Sequence, residues 1–161
     1  MDVSLVAEHM RDLLGQESVL LSELEALLEQ ESAALRADDL EDIEHAGRER
    51  QRCVDALMSI DTERRLACRM MGLGEDSRQF EQLLDQCDHT GALKSRWHAG
   101  LEIAARCKDR NERNGAVVAA KLRRVEALLM TVRGGQNHVA PVYGAGGQRN
   151  VTSRGYELGC A

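Results

Sequence analysis

The stretch "LLGQESVLLSELEALLEQESAALRA", residues 13–37, decides the fold. Its apolar residues recur at alternating spacings of four and three, the spacing of a long helix packed on other helices. The row begins upstream of the stretch and consists of Val6, Met10, Leu13, Leu20, Leu24, Leu27 and Ala34, with Glu17 and Glu31 at two of its positions. A second row widens the apolar face to what a multi-helix bundle requires, and it consists of Leu14, Leu21, Leu28 and Leu35.

The rest of the chain repeats this helical pattern. Only 2% of the 161 residues are aromatic, and the single Pro is Pro141. Few aromatic and β-branched residues argue against a sheet. We therefore predict an all-α fold in residues 1–133, an antiparallel bundle of three long helices and one short helix. The predicted helices span about 3–35, 39–71, 77–87 and 92–132.

The second predicted helix carries arginines at two positions of its apolar stripe, Arg50 and Arg64. In an antiparallel hairpin that turns near residue 37, Arg50 should lie level with Glu23 and Arg64 with Glu8. Such pairs would set the register at an accessible edge of the bundle. Each accessible pair would contribute only about 0–1 kcal/mol.

Charge is distributed unevenly along the chain, which has a formal net charge of −6. Residues 2–44 carry 13 acidic and 2 basic side chains, whereas residues 105–133 carry 8 basic and 3 acidic ones. A basic segment of this size is compatible with RNA or an acidic membrane. We favour pairing with the acidic first helix or an acidic partner, because no aromatic residues interleave with the basic ones as in single-strand binders. No nucleic-acid partner is expected.

Residues for catalysis or metal binding are not arranged in a known pattern. The sequence lacks a nucleophile motif, a phosphate-binding loop and a recurring Glu-x-x-His pair. The five Cys and five His are scattered, so we predict no enzyme activity, metal, cofactor or small-molecule substrate. No signal peptide or apolar run of about 20 residues is present, and we expect a soluble cytoplasmic protein.

The last predicted helix has an unusual stripe that contains the segment "NERNG", residues 111–115. Gly in a helix interior is unfavourable by about 1 kcal/mol relative to Ala. Two interpretations remain open: a polar device that fixes register, as a buried Asn does in coiled coils, or a patch where small and polar residues admit another chain. The stripe as predicted is Trp97, Leu101, Ala104, Lys108, Asn111, Gly115, Val118, Leu122, Val125, Leu129 and Val132.

The composition changes after Arg133. Residues 134–161 hold seven of the fourteen Gly, and we predict a flexible tail. Within it, "VYGAGGQ" (residues 142–148) places Tyr143 directly before Gly144. An aromatic side chain of this kind is suited to anchoring the tail on a partner.

The two motifs together resemble the FlgN family of flagellar type III export chaperones. The matching residues are N-x-x-N-G at Asn111, Asn114 and Gly115, then Y-G-x-x-G at Tyr143, Gly144 and Gly147. The spacing of the leucines in residues 13–31 fits the family as well, although leucine patterns are less specific than the ordered pair of motifs.

The resemblance implies a chaperone that binds the assembly-prone C-terminal helices of hook-associated proteins, prevents premature assembly and delivers them to the export gate. It would act in the cytoplasm and transiently at the inner-membrane export apparatus. The implied gate-docking residues, for an export-gate membrane protein, are Tyr143 and Gly144. The implied partner-binding residues are Asn111, Asn114, Gly115, Val118, Leu122, Val125 and Leu129.

Two further possibilities follow from the residues themselves. An exposed leucine stripe favours a homodimer in the absence of cargo. The alternative function is a structural coiled-coil adaptor or scaffold with no export role, in which the last helix is buried and the tail is irrelevant.

Overall fold

The structure, a computed structural model, describes residues 3–135, which form four helices and no strand. The helices are α1 (Val3–Ala37), α2 (Leu40–Met70), α3 (Ser77–Cys87) and α4 (Ala92–Gly135). The all-helical prediction is therefore confirmed, with three long helices and one short one. The chain divides into two units, Met1–Ala120 and Lys121–Ala161, which we describe separately.

Helix α1 supplies the widest apolar face of the first unit. The predicted double row is buried almost throughout: its buried apolar members are Val6, Met10, Leu13, Leu14, Leu21, Leu24, Leu27, Leu28, Ala34 and Leu35. Two clusters form on this face, one with residues from all four helices and one with Cys53 and Cys107. A helix with apolar residues over this much of its surface must pack against several others, which is what a bundle provides.

The ends of α2 follow standard capping chemistry. The Asp39 carboxylate accepts a hydrogen bond from the backbone N–H of Asp42 at 3.1 Å and so caps the first turn. At the other end Gly72 adopts a φ of 73°, and the N–H of Leu73 donates to the carbonyl of Cys68 at 2.9 Å. This is the Schellman arrangement, which requires a left-handed residue and explains the glycine.

The turn between α3 and α4 depends on Asp88. Its carboxylate accepts hydrogen bonds from the Thr90 hydroxyl (2.6 Å) and from the backbone N–H groups of Thr90 (2.9 Å) and Leu93 (3.0 Å). These donors favour the ionised form and lower the pKa of Asp88 to about 2. The turn therefore satisfies the first backbone donors of α4.

An aromatic cluster with a cation holds α3 in the first unit. The Phe80 and Trp97 rings meet edge to face with centroids 5.0 Å apart. The Arg64 guanidinium lies 5.0 Å from the Phe80 centroid and 4.3 Å from that of Trp97. Each cation–π contact of this kind contributes about 0.5–2 kcal/mol. Trp97, the first residue of the predicted stripe of the last helix, is buried in the core at 5% exposed.

The expected ion pairs of Arg50 with Glu23 and of Arg64 with Glu8 are wrong. Arg64 lies 3.4 Å from Glu17, and Arg50 lies 3.5 Å from Glu31. Glu17 and Glu31 occupy the apolar stripe of α1, whereas Glu8 and Glu23 lie on its exposed side.

Residues that face each other across a helix interface must both lie on inward faces, so the stripe positions pair. The pairs are also less accessible than expected, with side-chain exposures of 19% and 15% for Arg64 and Glu17. Burial raises the pKa of Glu17, and the nearby Arg64 opposes that shift.

The predicted stripe of α4 is displaced by one residue after Trp97. The buried positions are Leu93, Trp97, Gly100, Cys107 and Asn114, whereas Leu101, Lys108, Asn111 and Gly115 are exposed. Leu93, Gly100, Cys107 and Asn114 lie seven residues apart and therefore share one face of the helix. Apolarity alone favoured Leu101, but the neighbouring Gly100 faces α1, where a Cβ would lie in ordinary contact with the Leu21 side chain at 3.5 Å.

We expect Leu83→Ala in α3 to lower the free energy of unfolding by about 2–5 kcal/mol, measured by urea denaturation. Leu83 is 0% exposed in the cluster that joins all four helices. Met58→Ala on α2 is the control, because Met58 is 64% exposed and its loss leaves no cavity. Equal losses for the two variants would show that α3 contributes little to the core.

Candidate partner-binding surface

Two basic residues of α4, Arg106 and Arg110, lie against α1. Arg106 donates two hydrogen bonds to the Glu25 carboxylate at 2.8 and 3.2 Å, and these bonds lower the pKa of Glu25. Arg110 lies 3.3 Å from Glu29 in the same way. For Arg106 and Arg110 the preferred interpretation of the basic segment, pairing with the acidic first helix, is confirmed.

The two asparagines of the "NERNG" segment enter a polar network that joins three helices. Asn114, 5% exposed, donates from Nδ2 to the backbone carbonyl of Leu28 at 2.9 Å and to the Glu31 carboxylate at 3.0 Å. Arg50 of α2 then connects Glu31 (3.5 Å) to Asn111, whose amide oxygen accepts from Nη1 at 3.0 Å. Asn111 and Asn114 are thus bonded within the chain, as a register device requires.

Gly115 stands apart from this network. A Cβ built on it would meet nothing within 4 Å in the part of the chain that the structure describes. Gly115 is exposed, as are the next apolar residues, Val117 and Val118, at 42% and 39%. The network of the first unit therefore ends at Asn114, and its next turn of helix presents small and apolar groups to solvent.

In the second unit, residues 121–135 belong to α4 and carry an apolar stripe on their surface. Leu122, Val125 and Leu129 are exposed by 59%, 53% and 52%. Leu128 (59%) and Val132 (63%) widen the stripe. The spacings of three and four place these side chains on one side of the helix. Contiguous exposed apolar residues of this kind mark interaction sites.

The sequence-predicted residues thus divide into two groups. The structure brings Asn111 and Asn114 together with Glu31 and Arg50, and it leaves Val118, Leu122, Val125 and Leu129 exposed. Tyr143 and Gly144 lie outside the described residues. Sequence reasoning missed the connection of Arg50 to Asn111, although the placement of Arg50 on an apolar stripe was a signal for a buried polar partner.

Side chains suited to chemistry are not assembled in the described part of the chain. Residues 3–135 contain no cluster of three or more His, Cys, Asp or Glu able to hold a metal ion. Burial raises the pKa of the thiols of Cys53, Cys68 and Cys107, so these three are not activated nucleophiles. Among the helices described, none is long and apolar enough to cross a membrane.

These features define an all-helical protein whose last helix carries a polar network followed by an exposed apolar stripe. A family model described as "FlgN protein" matches residues 1–150. The chain belongs to the FlgN family, a family of flagellar export chaperones and not of enzymes. No curated protein and no solved structure shows a significant match to the chain.

We expect Asn114→Ala to lower the free energy of unfolding by about 1–3 kcal/mol, because it leaves part of a buried carboxylate without its donor. Asn111→Ala serves as the comparison. Asn111 is exposed, so water replaces its bond to Arg50 and the loss should stay below about 1 kcal/mol. Urea denaturation measures both. A larger loss for Asn111→Ala than for Asn114→Ala would contradict the assignment of the register role to Asn114.

Proposed function

We propose that this protein is a cytoplasmic chaperone of flagellar type III export that binds the assembly-prone C-terminal helices of hook-associated proteins. It holds these helices until export, prevents their premature assembly and delivers them to the export gate. The family assignment supports the chaperone role. The observation that carries the cargo class is the exposed stripe of Leu122, Val125 and Leu129.

The stripe suits a helical cargo for a physical reason. An amphipathic helix that would otherwise assemble with copies of its own protein presents apolar residues at spacings of three and four. A second helix with the same spacing covers them ridge into groove and removes both apolar surfaces from water. The basic residues Arg123 and Arg124, next to the stripe, suit cargo helices with acidic flanks.

The first unit carries the other residues that the resemblance implies for partner binding. We propose that Val118 offers cargo a further apolar contact and that Asn111, Asn114 and Gly115 offer a polar one. The bundle itself would be an antiparallel coiled-coil-like support, with α2 running back along α1, in keeping with the pairing of Arg50 with Glu31 and of Arg64 with Glu17. In the absence of cargo the apolar stripe favours a homodimer.

The delivery step is proposed for the tail. Tyr143 and Gly144 would dock on an export-gate membrane protein, which places the chaperone transiently at the inner-membrane export apparatus. A Tyr offers a large contact area at a low cost in conformational entropy. The motif Y-G-x-x-G, which the sequence shares with the family pattern, is the basis of this assignment.

The alternative function is a structural adaptor or scaffold without an export role. One observation favours it: the Asn114 side chain is bonded within the chain to Leu28 and Glu31, which is sufficient reason for the asparagine without any cargo. The two functions differ in what the exposed stripe and the tail do, and each can be tested separately.

We expect Leu122→Glu and Val125→Glu each to weaken binding of a C-terminal helical fragment of a hook-associated protein at least about tenfold, because each places a charge in an apolar contact. Isothermal titration calorimetry measures the affinity. Ala127→Glu is the matched control, since it adds the same charge on the opposite side of the same helical segment. Unchanged affinity in both stripe variants, with helicity retained, would reject this placement of the site.

We expect deletion of residues 134–161 to abolish secretion of hook-associated proteins while changing the cargo affinity less than about threefold, because the stripe lies upstream of the deletion. Tyr143→Ala should reproduce the secretion defect, and Tyr156→Ala, the other tail tyrosine, should not. Secretion into the medium and motility are the readouts. Normal secretion by the deletion variant would favour the adaptor function.

A further inference from the structure

A second apolar surface lies far along the chain from the stripe of α4, in a groove between the first turns of α1 and the last turns of α2. The groove has a volume of about 500 Å³. Val6 and Ala67, both buried, form its floor. Leu5, Leu66 and Met70 line it as well, and they are exposed by 65%, 47% and 57%. Three large apolar side chains this exposed around one groove mark a docking surface.

The charged residues that line the groove carry one sign. They are Glu8, Asp12 and Glu63, and none of the described residues that line the groove is Lys or Arg. His9 also lines it, with Nε2 3.8 Å from the Glu63 carboxylate. An acidic rim around an apolar floor selects a partner that offers apolar residues flanked by cations.

The geometry of the groove selects a helix among the common forms of bound peptide. An extended peptide needs a sheet edge to satisfy its backbone, and the described residues contain no strand. A polyproline segment needs aromatic walls, and none of the described residues that line this groove is Phe, Tyr or Trp. A helix satisfies its own backbone and packs its ridges into the groove between two others. The bound segment would thus become a further helix of the bundle.

We propose that this groove is the docking site of a cationic amphipathic helix from a partner protein. The helix places apolar residues at spacings of three and four against Leu5, Leu66 and Met70, and its flanking Lys or Arg side chains face Glu8, Asp12 and Glu63. The proposal concerns α1 and α2 and does not depend on the cargo site proposed for α4. It gives the chaperone a second partner.

The tail of the chain fits the groove poorly as an occupant. Residues 134–161 contain seven Gly and one Pro, which disfavour a helix, and their only Lys or Arg residues are Arg149 and Arg154. They also lack a row of apolar residues at spacings of three and four. A partner helix with both features complements the groove in shape and charge.

The test uses the full chain and a synthetic 21-residue helical peptide with Leu at spacings of three and four and Lys on both flanks. A second peptide carries Glu in place of each Lys. Fluorescence anisotropy of labelled peptide measures both affinities. We expect the Lys peptide to bind at least about tenfold more tightly than the Glu peptide, and its affinity to fall as salt is raised. Equal affinities for the two peptides would overturn the proposal.

Variants locate the binding on the protein. We expect the double variant Leu66→Gln/Met70→Gln to weaken binding of the Lys peptide at least about tenfold, because it removes apolar contact without changing charge. Met58→Gln is the matched control: Met58 is 64% exposed on the same helix and does not line the groove. Glu8→Gln/Glu63→Gln should weaken binding several-fold and reduce its salt dependence.

Since all these positions are exposed, circular dichroism and urea denaturation should show the fold intact. Unchanged affinity in the double variant would place the peptide elsewhere and overturn the proposal.

Crosslinking identifies the occupant directly. A photoreactive amino acid at position 70 of the full chain should attach to the Lys peptide, and one at position 58 should not. Without peptide, we expect no specific product from position 70. A product within residues 134–161 of the same chain would make the tail the occupant, and a product with a second copy would make it a dimer interface. Either result would overturn the assignment to a partner helix.

Discussion

The wide leucine face of α1 is the constraint on which the rest of the first unit depends. A single apolar row would be satisfied by one partner helix, but α1 buries two adjacent rows along most of its length. Each of the other helices therefore finds apolar surface to cover. Because the face is uniform in composition, leucine packing alone specifies neither the level at which a partner sits nor its exact rotation. Other residues must do so.

Polar side chains supply that specification at two levels. Near α3, Arg64 joins Glu17 to the rings of Phe80 and Trp97. Further along, a polar network joins α1, α2 and α4 through Arg50, Glu31, Asn111 and Asn114. Polar groups at such positions are satisfied in one register and left unpaired in others, so a displaced arrangement loses several hydrogen bonds at once. The leucines provide the general attraction between helices, and these two groups of polar side chains decide how the helices are aligned.

The sequence was sufficient for the all-helical fold, because period and capping are local properties that α1, Asp39 and Gly72 show directly. It was insufficient for features that depend on how two helices pack against each other. The partners of Arg50 and Arg64 depend on which faces meet, and the phase of α4 depends on which of two neighbouring faces meets α1, which places Gly100 and not Leu101 beside Leu21. The candidate site divides in the same way: spacing placed Leu122 and Val125 on one face, whereas the exposure of that face and the partners of Asn114 depend on other helices.

The arrangement around Trp97 has a spectroscopic consequence. The chain has one tryptophan, and it lies against Phe80 and Arg64 in the first unit. Its emission should be that of a shielded indole and should shift to longer wavelength when α3 separates from α1 and α2. The protein thus carries an internal optical reporter of one end of its bundle. Titrations followed by the Trp97 emission would report loosening near α3. They would show no change for events that leave the rings of Phe80 and Trp97 undisturbed.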